Sequence, residues 1–398
     1  DRMVDAGLTI TRAIQSRSWP AKSANLEYAA VWGAMGPVAD DVPRTCDDID
    51  VACVSTLLEP EGRVTGNPIR LADNGAVAHI GCLVLGMGFV LLPIEATSLI
   101  EEDLGNAQVI FRYLNGEDLN SRPDSSASRW IIDFGSKTQA EASRFERPFE
   151  LVKDRVRPER ATNSRATYRD RWWQFGERQL SMRKAISGLD EVLVIAVVSN
   201  AIMPVRVPTG QVFSHRLCVF ATGSFADQAV LSSSIHQLWA TKYSSTLETR
   251  LNYSPSDVFA TIPLPQPTPD LDRVGRVLDE ERREIMLRRD LGLTKLYNLV
   301  NDPGLPDAVD PDVARMRAIH RELDEVVVEA YGWGDVPLDH GFHTYRQMTR
   351  WTVSPAARVE LLDRLLEENH RRVALQHGAP PPAEDDPADT TDEVLGDD

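Results

Sequence analysis

Short apolar runs between turn signals occupy residues 7–265, and longer charge-dense stretches with a 3.6-residue apolar period follow them. Residues 8–10 and 26–32 read as two strands around the turn-rich segment 15–25. An isolated hairpin is only marginally stable, so these strands are expected at the edge of a sheet whose remainder is elsewhere. Residues 34–75, rich in Pro, Gly and Asp, read as connector apart from a strand or short helix at 51–58. Further strands are predicted at 109–113, 130–134, 192–198, 211–213 and 217–221. Helices are predicted at 95–102, 137–145, 168–187 and 226–241. No period of 20 to 50 residues repeats, which excludes a solenoid. After the Pro-rich 262–269, helical periodicity predicts a helical domain with helices at 271–290, 311–330 and 354–376. Leu361, Leu362, Leu365 and Leu366 lie along one face of the last. Asp310-Pro311 and Ser354-Pro355 read as N-cap and first-turn pairs. The chain divides into 1–60, 61–270, 271–376 and a tail, 377–398, expected to be disordered.

Charge alters this picture segment by segment. The 398 residues hold 43 Lys plus Arg against 60 Asp plus Glu, a formal charge of -17, which argues against nucleic acid for the chain taken whole. Eight of the acids, and no base, fall in residues 381–398, whereas 146–184 hold eleven bases against six acids. With 42% hydrophobic and 26% charged residues the composition is that of a globular protein. Cys46, Cys53, Cys82 and Cys218 form no Cys-x-x-Cys pair, so a reducing cytoplasm is expected rather than a disulfide scaffold or a cysteine zinc site. The apolar stretch 77–92 is too short and too interrupted to span a membrane. From the opening residues no signal peptide is expected, and a start at Asp1 suggests a piece of something longer.

Three constellations invite chemistry. Residues 152–184 crowd Arg155, Arg157, Arg160, Arg165, Arg169, Arg171, Arg178 and Arg183 around Tyr168, Trp172, Trp173 and Phe175. Guanidinium forks suit phosphate and guanine, and aromatics offer stacking surfaces, so this is the expected footprint of a nucleic-acid surface. The competing reading is a solvated charged helix whose two tryptophans fill the core. Residues 212–220 place His215 and Arg216 between two strands, where they could reach a groove. Residues 231–240 bring Ser232, Ser233 and Ser234 near His236, but Ser234 and His236 are two apart and would not face each other on a helix. No G-x-S-x-G elbow, G-x-G-x-x-G, P-loop or His-Glu-x-x-His motif is present. The Asp133-Phe134-Gly135 string has no accompanying kinase loops, and His340 and His343 lack a third metal ligand.

In register, residues 110–134, 156–161, 168–186, 231–240 and 253–265 resemble the target-recognition region of large bacterial adenine-specific DNA methyltransferases, those of the type IIG and IIL restriction–modification and phage-growth-limitation kinds. Residues 292–302, 319–333 and 361–372 resemble the same family's C-terminal helical region. The resemblance implies an α+β chain: the end of a methyltransferase sheet and connector (1–60), a mixed target-recognition domain (61–270) and a helical C-terminal domain (271–376). Residues 7–33 would then be an edge hairpin left from the catalytic sheet.

The family binds S-adenosylmethionine through a Phe-x-Gly-x-Gly-like loop and methylates through Asn-Pro-Pro-Tyr/Phe. Neither string occurs here; Asn67-Pro68-Ile69 and Gly86-Met87-Gly88-Phe89 come nearest. No Pro-Asp…Glu-x-Lys nuclease motif follows Pro123-Asp124. The implied function is therefore sequence-specific reading of double-stranded DNA, with methyl transfer and cofactor left to a catalytic domain or subunit outside this chain. An interaction scaffold in an anti-phage system is the alternative. The expected DNA contacts are Arg157, Arg160, Arg165, Arg169, Arg171, Trp172, Trp173 and Arg178, with Arg206, His215 and Arg216 as base readers. Residues 192–216 are more apolar than the family pattern, which bears on the sequence recognised.

Overall fold

The computed structural model describes residues 2–376 except 20–26, 40, 56–57, 65, 200–201, 248–249 and 346–347, so the acidic tail lies outside the described residues. The fold mixes helices with several small sheets, as the α+β reading expects, and among the described residues no sheet closes into a barrel.

Strand β1 (Leu8–Ser18) pairs antiparallel with β2 (Glu27–Met35). The other edge of β1 is not bare. It pairs parallel with β3 (Arg44–Cys46), which turns back onto β4 (Ile49–Val51) to give the order β2-β1-β3-β4. The hairpin thus finds sheet partners within this chain. Three-residue strands in an Asp-rich connector are too short to display alternation, and Asp47 and Asp48, both at positive φ, make the turn between them. Among the described residues of 51–58 there is no helix; Val51 ends β4 and Val54 makes a single bridge to Pro60.

The middle of the chain supplies β5 (Ala78–Ile80), β6 (Val90–Leu91), β7 (Ile110–Leu114), β8 (Arg129–Ile132), β9 (Glu191–Ala196), β10 (Val198–Ser199), β11 (Val205–Pro208), β12 (Gln211–Phe213) and β13 (Leu217–Phe220). One sheet runs β11-β9-β13-β5, every neighbour antiparallel; the other runs β12-β7-β8-β6, with β12 parallel to β7. Val192 to Ile195 are all buried, so both faces of β9 are covered, which explains its unbroken apolar run. Beyond these, β14 (Ser245–Leu247) and β15 (Arg250–Asn252) form a hairpin that also takes up β10.

The helices of this region depart from the expected ones. Helix α1 (Pro93–Glu102) lies where expected, but 137–145 is helical only over Gln139–Ala142, and a 15-residue helix α2 (Glu146–Arg160) follows that was not anticipated. Its two prolines obscured it: Pro148 sits in the first turn, where no N–H is needed, and Pro158 near the last. The helix expected at 168–187 is two short ones, α3 (Ala166–Asp170) and α4 (Leu180–Ile186). Between them Trp172, Trp173, Gln174 and Phe175 are all buried, which four consecutive residues on a one-sided helix cannot be. The stretch 226–241 breaks into α5 (Phe225–Ser232) and α6 (Ser234–Tyr243), because Ser233 ends one and its Oγ caps the other through His236 N.

The C-terminal region is built from α7 (Pro269–Arg289), α8 (Leu293–Val300), α9 (Pro311–Ala330) and α10 (Pro355–Gln376). A hairpin, β16 (Gly341–Tyr345) and β17 (Met348–Thr352), stands between α9 and α10. Helix α7 lies directly on α5: a Cβ at Gly275 would stand 1.9 Å from Phe225 O. Helix α10 returns to the connector, where Asn369 Nδ2 donates to Ile69 O (2.8 Å) and Thr261 O (2.6 Å), and its Oδ1 accepts from Ile69 N (2.9 Å). One continuous cluster of buried side chains runs from Cys82 to Leu366. Among the described residues no helix is long and apolar enough to cross a membrane.

Candidate nucleic-acid interface

Helix α2 buries Pro148, Phe149, Val152, Val156 and Arg160 along one face. Several of its outward cations are already answered by carboxylates: Arg147 by Glu102 (3.3 Å), Lys153 by Glu150 (3.0 Å) and Arg155 by Glu95 (2.7 Å). Arg157, in the last turn, is exposed, with its guanidinium 5.8 Å from the Trp172 ring centre.

Arg160 does not reach solvent, which corrects its assignment as a phosphate contact. It is 2% exposed. Its Nη1 donates to Gln174 O (2.6 Å), its Nη2 to Val84 O (2.6 Å) and Leu85 O (2.7 Å), and its Nε to Leu85 O (3.1 Å). The guanidinium lies over Phe89, and burial pulls its pKa down to about 10. Trp172 and Trp173 are likewise core residues and cannot stack on bases. Trp172 packs against Phe149 and Trp173, and Trp173 Nε1 donates to Lys137 O (3.0 Å). The core-filling alternative holds for both rings because each is over nine-tenths buried.

The cations that remain outward, the ridge, lie on either side of the two tryptophans in sequence. Arg165 leans on Tyr168, its Nη1 donating to the phenol oxygen (3.1 Å). Arg169 Nη1 donates to Asn163 O (2.6 Å) and Ser164 O (2.9 Å), holding the loop between α2 and α3. Arg171 is exposed, and Arg178 is half-buried. Arg157, Arg169, Arg171, Arg178 and Lys184 have no carboxylate partner among the described residues.

The proposed readers separate. Arg206 is buried in β11, stacked 3.9 Å over Phe225, with Nη1 donating to Gly223 O and Nη2 to Gln228 Oε1 (3.0 Å). It fastens β11 to α5 and cannot read a base. His215 and Arg216 form the turn between β12 and β13, where His215 is half-buried and Arg216 exposed. His215 N donates to Cys82 O (2.9 Å), and Arg216 O accepts from Val197 N (2.9 Å). Burial, then the neighbouring Arg216 charge, lowers the pKa of His215, so its ring is neutral at pH 7 and offers one donor and one acceptor. The strip Cys82–Leu83 carries this turn on one flank. On the other, Leu83 and Glu177 exchange backbone hydrogen bonds of 3.1 and 3.0 Å. Arg178 and His215 are therefore brought to the same strip from positions 37 apart in sequence.

The remaining motifs are structural. His236 is fully buried between Leu231 O (2.8 Å) and Tyr253 OH (3.0 Å), and burial pulls its pKa down to about 4. His340 Nε2 meets Asp324 Oδ2 at 2.9 Å and His343 Nε2 meets Asp339 O, so the two rings do not converge. Among the described residues no three His, Cys, Asp or Glu side chains could share a metal ion. The Gly86–Gly88 turn does not fit a nucleotide cofactor, because a Cβ at Gly88 would meet Arg155 Cβ and Val156 Cγ2 at 2.7 Å; the space is already filled by α2.

One element of the site escaped sequence reasoning. Asp133, 3% exposed at its side chain, pairs with Arg183 Nη2 at 2.7 Å. The signal was the Asp-Phe-Gly string itself, in which Gly135 takes φ +57 and donates its N–H to Asp133 Oδ1 (2.8 Å).

Residues 79–266 match the family described as MmeI, target recognition domain. No curated protein matches the chain. Among solved structures, the type IIL restriction–modification enzyme MmeI in complex with DNA is similar, with TM-score 0.61 and 15% identity over 94% of this chain. The match covers 47% of that structure's chain, so this chain spans about half its length. In sequence, then, residues 79–266 match the MmeI target recognition domain, and in fold nearly the whole chain matches MmeI.

Proposed function

We propose that this chain is the DNA-recognition part of a type IIL restriction–modification methyltransferase. The match of residues 79–266 to a target recognition domain carries the reading. The cations without carboxylate partners between Arg157 and Lys184 support it, since they can face phosphate. Ridge cations orient the duplex, and the 214–216 turn reads base edges, Arg216 through guanine O6 and N7 and His215 through one donor or acceptor. Methyl transfer to adenine N6, and S-adenosylmethionine with it, belong to a separate catalytic domain or subunit, and the pair acts in the cytoplasm. The residues of this chain hold the duplex and supply no chemical step.

The test is fluorescence anisotropy with a labelled duplex across a salt series. Each phosphate contact contributes about 0.9 to the slope of log K against log salt, so Arg169→Ala with Arg171→Ala should lower the slope by about 1.8. Unchanged affinity and slope in the double variant would refute the ridge. Absence of any duplex binding by the parent would refute the function.

A further inference from the structure

Arg183 stands where three segments meet. Its Nε donates to Arg178 O (2.8 Å), and its Nη2 lies 2.7 Å from Asp133 Oδ2 and 3.3 Å from Cys82 Sγ. Each partner is itself fixed. Asp133 directly follows β8 and is held by Gly135 N. Cys82 Sγ lies 3.4 Å from Arg178 O, Cys82 N donates to Phe213 O (2.7 Å), and Cys82 O accepts from His215 N (2.9 Å). Burial pushes the Cys82 thiol up, so it is neutral at pH 7, and Asp133 is the only carboxylate paired with Arg183 among the described residues. One cation thus ties the end of β8 to the Arg178 segment and, through Cys82, to the turn bearing His215.

We propose that Arg183 is a positioning residue for sequence recognition: it sets Arg178 and His215 at a fixed separation, so preference among DNA sequences depends on it. This rests on the DNA-recognition reading above. A recognition constellation tolerates displacements of only about 0.5 Å, whereas phosphate contacts by long, flexible arginines tolerate more. Loss of the Arg183 junction therefore degrades discrimination before affinity. Arg183, 33% exposed at its side chain, commits Nε to a carbonyl and Nη2 to a carboxylate and a thiol, and so is not counted among the phosphate contacts.

The experiment compares the full chain with Arg183→Met, Arg183→Lys and Asp133→Asn by selection from a randomised duplex library and by anisotropy over a salt series. Arg183→Met should lose about tenfold in preference for the selected duplex over random duplex, with the salt slope unchanged. Arg183→Lys, which cannot span all three partners, should fall between. A slope lowered by about 0.9 would make Arg183 a phosphate contact and overturn the proposal. An undiminished preference in the folded variants would overturn it equally. Without any DNA, the His215 ring signals in the NMR spectrum, assigned with His215→Gln, should move in Arg183→Met and in Asp133→Asn; signals that stay in place overturn the positioning role. Asp133→Asn keeps the side-chain shape and supplies this readout if Arg183→Met fails to fold. A parent that binds no duplex, while the His215 signals still respond to Arg183→Met, would refute the functional reading and leave the junction intact.

Discussion

Replacing Arg160 by Met should unfold the region between α2 and the 84–85 strip long before it affects DNA binding. The side chain makes four hydrogen bonds to the carbonyls of Val84, Leu85 and Gln174. Hydrogen bonds from a charged donor contribute about 1.5 to 3 kcal/mol each, and the desolvation of a buried guanidinium returns several kcal/mol of that sum. Breaking such a constellation by removing one partner costs about 3 to 5 kcal/mol, because the stranded carbonyls stay buried. With a urea m-value of about 3 kcal/mol/M, the midpoint should fall by about 1 to 2 M. Tryptophan fluorescence is the suitable probe, since Trp172 and Trp173 lie beside Gln174 in the same core. Arg160→Lys should behave almost as badly, because one ammonium cannot serve three carbonyls in a plane. A midpoint within about 0.2 M of the parent, together with a salt slope lowered by about 0.9, would refute the reasoning and return Arg160 to the DNA surface.

Acid should destabilise the fold through two histidines. His236 and His320 are both buried and both held near pKa 4, against an ordinary value of 6.5. Between those values the unfolded chain takes up protons that the folded chain refuses, so stability falls as pH drops from 6.5 toward 4, by about 1.4 kcal/mol per pH unit for each ring. Urea midpoints measured across that window check it, and His236→Gln should flatten the slope; an unchanged slope counts against the assignment. Gly275→Ala should cost about 3 kcal/mol or more, since a Cβ there would stand 1.9 Å from Phe225 O and force α7 off α5. A thermal midpoint equal to the parent's would mean that the two helices separate freely.

The long amphipathic helices were legible because their period outlasts any local exception: the expected 311–330 coincides with α9, and 271–290 nearly with α7. Strands β9, β12 and β13 were legible for the opposite reason, as short apolar runs bounded by turns. Where a few residues decided the local structure, periodicity failed. Two prolines hid α2, and Ser233 divided one apolar run into two helices by offering its hydroxyl as a cap. The three-residue strands β3 and β4 exist only because β1 provides an edge for them, which no local pattern can announce.

The candidate site shows the same division at the level of single charges. Eleven bases between 146 and 184 suggested one electropositive surface, and sequence could not say which of them faced outward. Arg147, Lys153 and Arg155 meet carboxylates across α1 and α2, Arg183 meets Asp133, and Arg160 is buried among carbonyls. These partners lie three to 76 residues away, so pairing is a tertiary property. The two tryptophans belong with the buried set: they directly follow Arg171 and the helix α3 that carries Arg169, and Arg157 lies over one of them. Aromatic residues interleaved with arginines therefore lie beneath the exposed cations and not beside them. The same logic applies to Arg206. Its place on or between the strands predicted at 192–221 made it a candidate reader, yet its stacking on Phe225 and its bond to Gln228 make it part of the scaffold. Arginine is suited to both tasks by the one property, a planar fork of donors that can be filled by carbonyls inside a protein or by phosphate and guanine outside it. Only the surroundings of each guanidinium tell them apart.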